Sequence, residues 1–434
     1  MKPQALSRTV GRRRRWLGLT GIATSVLLLS VAGCSGASDD TASGAATAVP
    51  LTTYAKTTAG VVEAATAFLA TLSDDQKSTV SLEYTQENAV AWSNLPCGGS
   101  CRPGIDFGSL SAEQLAAAKS VLQTALGTQS GSGYSRVEEI LAADDRLNSV
   151  QASSGTGGAP GGGGAPGGGG APGGAMPSGG APGGAMPSGG AMPDGGAMPS
   201  GMAIPSGAAA GMAGGLSYSS GSYYLAFLGE PSSTGTWQLH FGGHHLAVDM
   251  TYTDGKVVSA SPFFIGVEPT SWTDDDGTAH APLDDMKSGM SALLGSLSTD
   301  ETAKAQISES FSDVLLGPGK DGQFPEKKEG IKGSALSDEQ RQLVLAAIKP
   351  WVANADDATA TELMSAYESE LDDTYIGWSG TTTLTKHADY VRIDGPSVWV
   401  EFVCQDGVVI QNQIHYHTIY RDHTRDYGGE FTFS

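Results

Sequence analysis

From residue 155 to 215 the chain consists of Gly-Ala-Pro-Gly-Gly and Gly-Ala-Met-Pro-Ser-Gly units, and Asp194 is the only charge among them. Such a stretch has little to bury that could offset the entropy lost on ordering. A core must therefore be built by the residues on either side, with the Gly/Ala/Pro/Met-rich stretch 151–215 between them as a disordered insertion. The glycines follow no strict Gly-X-Y period, which excludes a collagen-like helix. Met176, Met186, Met192, Met198, Met202 and Met212 recur in it. Their spacing suits soft thioether ligands for copper, although drift of a repetitive segment explains it more simply.

The flanking segments, 55–150 and 216–434, are long enough to bury a sizeable interior. The net charge is −21, and the only basic run is Arg12 to Arg15. An acidic surface repels polyphosphate, so nucleic acid is excluded as a partner and cations are favoured. Residues 1–33 read as a lipoprotein signal peptide: the arginine run, an apolar run over 16–32, and Val31-Ala32-Gly33-Cys34 at its end. On this reading Cys34 is the lipidated first residue of the mature protein. Residues 34–54 are a flexible tether, and the protein is anchored to the membrane on the extracytoplasmic side of the cell envelope. The apolar run is short and broken by Gly18 and Gly21, against the ~20 apolar residues that a span needs. Arg13-Arg14-Arg15-Trp16-Leu17 suits twin-arginine export as well as the general secretory route.

Three further cysteines remain. Cys97-Gly-Gly-Ser-Cys101 is a tight loop able to close a disulfide in an oxidising compartment. Cys404 sits in an apolar run and reads as a buried thiol.

One phrase occurs four times: Leu72-Ser73-Asp74-Asp75-Gln76, Leu110-Ser111-Ala112-Glu113-Gln114, Leu297-Ser298-Thr299-Asp300-Glu301 and Leu336-Ser337-Asp338-Glu339-Gln340. In each, the serine oxygen can cap free helix N–H groups while the Gln or Glu at the third helical position reaches back to the serine N–H. They mark four helix starts, and their irregular separations argue against a solenoid repeat. Helices are expected over much of 55–150, 283–316 and 336–371. Alternating apolar runs predict strands at 223–228, 237–241, 244–252, 390–393, 397–404 and 408–420. Thr253-Asp254-Gly255-Lys256 and Asp406-Gly407 are expected hairpin turns. The fold class is α+β, an N-terminal helical part packed with a mainly antiparallel sheet region.

Several stretches resemble the bacterial family known as domain of unknown function 3500. They are Leu228-Gly229-Glu230-Pro231, Trp237 through Gly243-His244-His245-Leu246, Phe264-Ile265-Gly266-Val267-Glu268-Pro269, Tyr390-Val391-Arg392-Ile393-Asp394-Gly395-Pro396, Glu401, and His415-Tyr416-His417-Thr418-Ile419-Tyr420-Arg421-Asp422 up to Asp426-Tyr427-Gly428. The helical stretch 72–147, with Trp92 and Gly133-Tyr134, is similar as well. The resemblance skips the Gly/Pro stretch, which implies that the stretch expands a shorter connection within one domain whose halves pack together. The Cys97–Cys101 loop departs from the pattern. The family carries no established activity, so the resemblance directs attention to residues without naming a reaction.

All eight histidines lie between His240 and His423. A strand repeats every two residues, so His415 and His417 share one face. With His244 or His245 as a third nitrogen and Glu401 as an oxygen, they would suit zinc, copper, iron or manganese. Strand parity would put His244 with Leu246, Val248 and Met250, and His245 with Asp249. Glu401, Arg421 and Asp422 are the candidate catalytic groups, and Arg392 and Tyr416 are candidates for holding a small ligand. A metal-free acid/base cleft or a hydrogen-bonded polar network accounts for the same histidines without an ion. No Gly-x-Ser-x-Gly elbow, His-Glu-x-x-His, Walker loop or dinucleotide fingerprint occurs. The expected function is an exported lipoprotein with a His-based metal site, either a metalloenzyme or an extracytoplasmic protein that binds metal or a small ligand without turnover.

Overall fold

The computed structural model describes residues 49–153 and 218–433, which lie in one compact unit. Cys34, the signal peptide, most of the tether and nearly all of the low-complexity stretch fall outside the described residues.

All four Leu-Ser-x-x-Glu/Gln phrases form complete capping boxes; one such cap stabilises a helix by about 1 kcal/mol. The longer helices are α1 (Thr58–Ala70), α2 (Ala112–Ala125), α3 (Gly133–Ser153), α4 (Asp284–Gly295), α5 (Asp338–Val352) and α6 (Asp357–Ser369). The strands of five residues or more are β1 (Tyr224–Leu228), β2 (Thr236–Gly243), β3 (Leu246–Thr253), β4 (Phe263–Val267), β5 (Tyr375–Ser379), β6 (Tyr390–Asp394), β7 (Val398–Asp406) and β8 (Ile414–Asp422). They form one antiparallel sheet in the order β1-β2-β3-β4-β8-β7-β6-β5.

This order is a four-strand meander placed edge to edge with a second copy of itself, and the repetition extends well beyond the sheet. Gln114 Nε2 donates to the Thr71 carbonyl and to Gln76; Gln340 Nε2 donates to the Ser296 carbonyl and to Glu301. Ser81–Leu82 pairs with β1 in parallel as Gln306 does with Trp378 of β5. Ile105–Asp106 and Ile331–Lys332 then pair antiparallel with the same two strands. Each is entered through a left-handed glycine, Gly104 (φ 101°) and Gly330 (φ 112°), where a Cβ would strike the carbonyl of Leu225 in β1 or of Ile376 in β5. The four phrases mark helix starts, as the sequence expects, and build no solenoid. They are two copies of one pair, in an internal duplication whose halves meet at β4 and β8. In the second half the connection from α6 into β5 is short, with Leu371–Asp373 in it. The first half carries the low-complexity stretch at that same point of its order.

One face of the sheet is packed by helices. Trp351 of α5 donates to Thr418, and Tyr367 of α6 bonds Tyr420, both even-numbered residues of β8. The opposite face, which takes His415, His417, Ile419 and Arg421, is covered by the two equivalent connections, residues 83–104 and 307–330. Trp92, Phe264, Phe311, Tyr390 and Tyr427 pack there. A disulfide joins Cys97 to Cys101 within the first connection.

Some expected elements differ. Residues 283–316 hold two helices and then an irregular connection, and 336–371 divide at Ala353 to Asp356, where Asp356 caps α6. The last strand begins at Ile414 instead of 408, because Asp406 and Ile414 close a longer loop. His244 and His245 are not strand residues: they form the two-residue turn between Gly243 and Leu246, with His245 in the left-handed region at φ 63°. Histidine is among the residues that tolerate this conformation best.

Candidate metal centre

Turn geometry, not strand parity, orients the upstream histidines. The His244 and His245 ring centroids lie 3.6 Å apart with the planes tilted by 31°, and His245 faces the β8 pair, 5.5 Å from His415 and 5.2 Å from His417. His415 and His417 point their Nε2 atoms at each other across 3.2 Å. Ligand atoms of His245, His415 and His417 lie within 4.8 Å of one another, and so do those of Asp144, His244 and His245. All four histidines are buried.

The surroundings come from distant parts of the chain. Asp313, in the 307–330 connection, lies 3.0 Å from His417 Nδ1, and Asn94, in the 83–104 connection, approaches the same nitrogen at 3.5 Å. Asp144 of α3 holds His244 Nδ1 at 2.8 Å and accepts from the Tyr223 hydroxyl at 2.8 Å. Asp313 thereby fixes His417 Nδ1 and leaves its Nε2 to act as a ligand, the usual support for a metal-bound imidazole. Phe264 and Tyr218 pack edge-on against His417 and His244. Sequence reasoning missed Asp144, Asp313, Asn94 and Tyr223.

Electrostatics keep two of these rings, His245 and His415, neutral. Burial, reinforced by the neighbouring imidazoles, pushes His245 far below the ordinary histidine range and His415 down to about 3. Asp313 is held below the ordinary carboxylate value: burial opposes this, but His417 together with hydrogen bonds from the Val314 amide and Gln405 outweighs it. His245 Nδ1 and His415 Nδ1 are buried without hydrogen-bond partners. Neutral imidazoles with free lone pairs are the form that binds metals.

The other sequence candidates lie elsewhere. Glu401 shares the histidine face, but its carboxylate accepts from the Leu315 and Leu316 amides, the Tyr390 hydroxyl and Trp399 Nε1. It fastens the 307–330 connection to the sheet instead of supplying a ligand oxygen. Arg421 binds the Leu316 carbonyl, Asp321 and Asp426, with its guanidinium 5.5 Å from the Trp92 ring. Asp422 is on the helix face, where it accepts from Tyr367, Thr424 and Arg425. Arg392 stacks over Trp399 at 5.0 Å and reaches Glu329. Tyr416, between the two histidines in sequence, points to the opposite face and packs on Phe402 at 5.0 Å. These five residues brace the fold around the site.

The duplication supplies an internal comparison. In the second half the turn position of His245 is held by Ser397. Counting from the turns, Thr251 and Thr253 match Val403 and Gln405; they face Ser259 and Lys256, where Val403 and Gln405 face His417 and His415. The same architecture is thus built once with the imidazoles and once without them.

No curated protein and no solved structure matches this chain. A family model does, over residues 54–429, and its description is Protein of unknown function (DUF3500). With so much of its length matched, the chain belongs to that family.

Proposed function

We propose that this chain is a metalloprotein that holds a first-row transition ion at His245, His415 and His417. The observation that carries this is the pair of facing Nε2 atoms, 3.2 Å apart. Two ligand nitrogens on one tetrahedral ion, with bonds of 2.0–2.1 Å, stand about 3.3 Å apart. A hydrogen-bonded network would produce one such contact, but it gives no reason for a third buried imidazole with an unpartnered nitrogen. Nor does the fold require the cluster, since Ser397, Ser259 and Lys256 stand at the equivalent positions across the duplication. Imidazole ligands suit zinc, copper, iron or manganese.

Three protein ligands leave a position for water or substrate, the arrangement of catalytic zinc sites. This supports a metalloenzyme, in which the ion would act as a Lewis acid. The near-complete burial of the rings favours a second reading, a protein that retains a metal or small ligand without turnover.

The test is metal analysis of the full-length chain, purified without an affinity tag of histidines, beside a His415→Ala/His417→Ala variant. At least one equivalent is expected in the wild type, with loss in the variant. Wild-type protein that stays metal-free after reconstitution would refute the reading.

Residues 1–34 support export and lipid attachment at Cys34, with the domain on the extracytoplasmic side. Cys34→Ser is expected to abolish labelled fatty-acid incorporation and to release the protein from the membrane fraction; unchanged labelling would exclude the anchor.

A further inference from the structure

Beside the trio His245, His415 and His417 lies a second one, Asp144, His244 and His245, whose ligand atoms are equally close together and whose members are all buried. We propose that this second trio binds a second ion and that His245 bridges the two, with one ring nitrogen turned to each. The proposal rests on the metal reading above and extends it from one ion to a coupled pair.

Three features point to it. First, His245 is common to both trios and is 2% exposed, yet its Nδ1 has no hydrogen-bond partner. A buried polar atom left unpaired is destabilising, and coordination would satisfy it. Second, Asp144 Oδ1 lies 2.8 Å from His244 Nδ1. An ion entering between them would need these two donors to part by about 0.5 Å, to the ~3.4 Å of a tetrahedral pair. Third, each trio has its own carboxylate, Asp144 at His244 and Asp313 at His417, so the charge of each ion is partly compensated where it would sit. Buried charge is tolerated only with such pairing.

The scaffold fixes this second trio. The Tyr223 hydroxyl lies between Asp144 Oδ2 and the His244 carbonyl and shares its one hydrogen between them, tying the α3 carboxylate to the turn. A Cβ on Gly243 would strike the Tyr223 ring, so glycine at this position lets tyrosine, carboxylate and turn come together. Two imidazoles with a single carboxylate suit zinc or copper better than magnesium or calcium.

The bridging step balances simply. Neutral His245 carries one ring N–H. As the second nitrogen–metal bond forms, that N–H bond breaks and the proton leaves to solvent, so loading the second ion releases one proton.

The experiment is copper(II) titration of the full-length apo chain, with metal analysis and integrated electron paramagnetic resonance intensity. Two ions per chain are expected, with intensity well below the copper content because bridged ions couple, and Asp144→Asn is expected to fall from two ions to one. One ion per chain at full intensity would overturn the pair while leaving the metal reading standing. No bound copper, with none of the other transition ions bound either, would overturn both. Two ions at full intensity, unchanged in Asp144→Asn, would overturn the bridge. Should Asp144→Asn fail to fold, wild-type stoichiometry and intensity decide the matter alone.

Discussion

Gly266 stands opposite His417 in the β4–β8 ladder, and a Cβ built on it falls 2.8 Å from His417 Cδ2 and 2.9 Å from His245 Cδ2. The two imidazoles occupy the space that a side chain at 266 would fill. Both rings must shift if even a methyl group is added, although the backbone there is ordinary strand. Gly266→Ala is therefore expected to weaken metal binding at least tenfold with little change in secondary structure, measured by competition with a chromophoric chelator and by circular dichroism. Unchanged affinity would show that ring placement at this contact is irrelevant to the site.

Stability of the metal-free protein should depend on pH through the same rings. His245 and His415 are held neutral well below the ordinary histidine value, chiefly by burial. The unfolded chain takes up their protons below about pH 6.5, whereas the folded chain does not. Their contribution is present in full above that pH and is lost as pH falls toward 3. Each such histidine costs about 1.4 kcal/mol per pH unit within that window. Urea denaturation at pH 7, 6, 5 and 4 should show the decline, and His415→Gln should flatten it.

Asp313 reaches His417 from a surface connection and is about a third exposed, so its removal need not damage the core. Asp313→Asn is expected to lower metal affinity about 10- to 100-fold, the usual cost of losing a carboxylate behind a ligating histidine. The midpoint of thermal unfolding of the apo protein should stay nearly constant. An affinity equal to wild type would remove Asp313 from the site.

The Cys97–Cys101 disulfide braces the connection that carries Asn94. Arg102 sits against both sulfurs and donates to the Ser93 and Leu95 carbonyls on either side of Asn94. Reduction, or the Cys97→Ser/Cys101→Ser change, is expected to speed metal loss to a chelator severalfold, and reductant should then have no effect on the double variant. Equal release rates would confine the disulfide to a local structural role.

For Glu401 the expected readout is stability. Its carboxylate holds two backbone amides, a tyrosine and a tryptophan while fully buried. Glu401→Gln swaps one acceptor for a donor and is expected to destabilise by about 2–4 kcal/mol. Chemical denaturation would measure this, with metal content expected to stay at the wild-type level. A loss of metal without a loss of stability would return Glu401 to the list of ligands.

Local rules made much of the fold legible. Ser73, Ser111, Ser298 and Ser337 announced their helices because a capping box is complete within four residues. His415 and His417 were paired correctly because strand periodicity is equally local. That rule failed at His244-His245, because alternation does not continue through a turn. Asp144 and Asp313 reach their histidines from 100 and 104 residues away, and nothing near them in sequence marks the contact. The duplication is hard to read in the sequence because its halves share capping phrases and register more than side chains, and because one half is lengthened by the low-complexity stretch.

The doubled meander has a consequence for how such a site can change. In a dimer of identical subunits, every substitution appears on both sides of the two-fold axis at once. When the two halves are consecutive parts of one polypeptide, each side drifts independently, and dilution cannot separate them. A cluster of imidazoles drawn from both halves can then gather at one end of their junction, while serine and lysine stand at the mirrored positions of the other end and the shared sheet holds both.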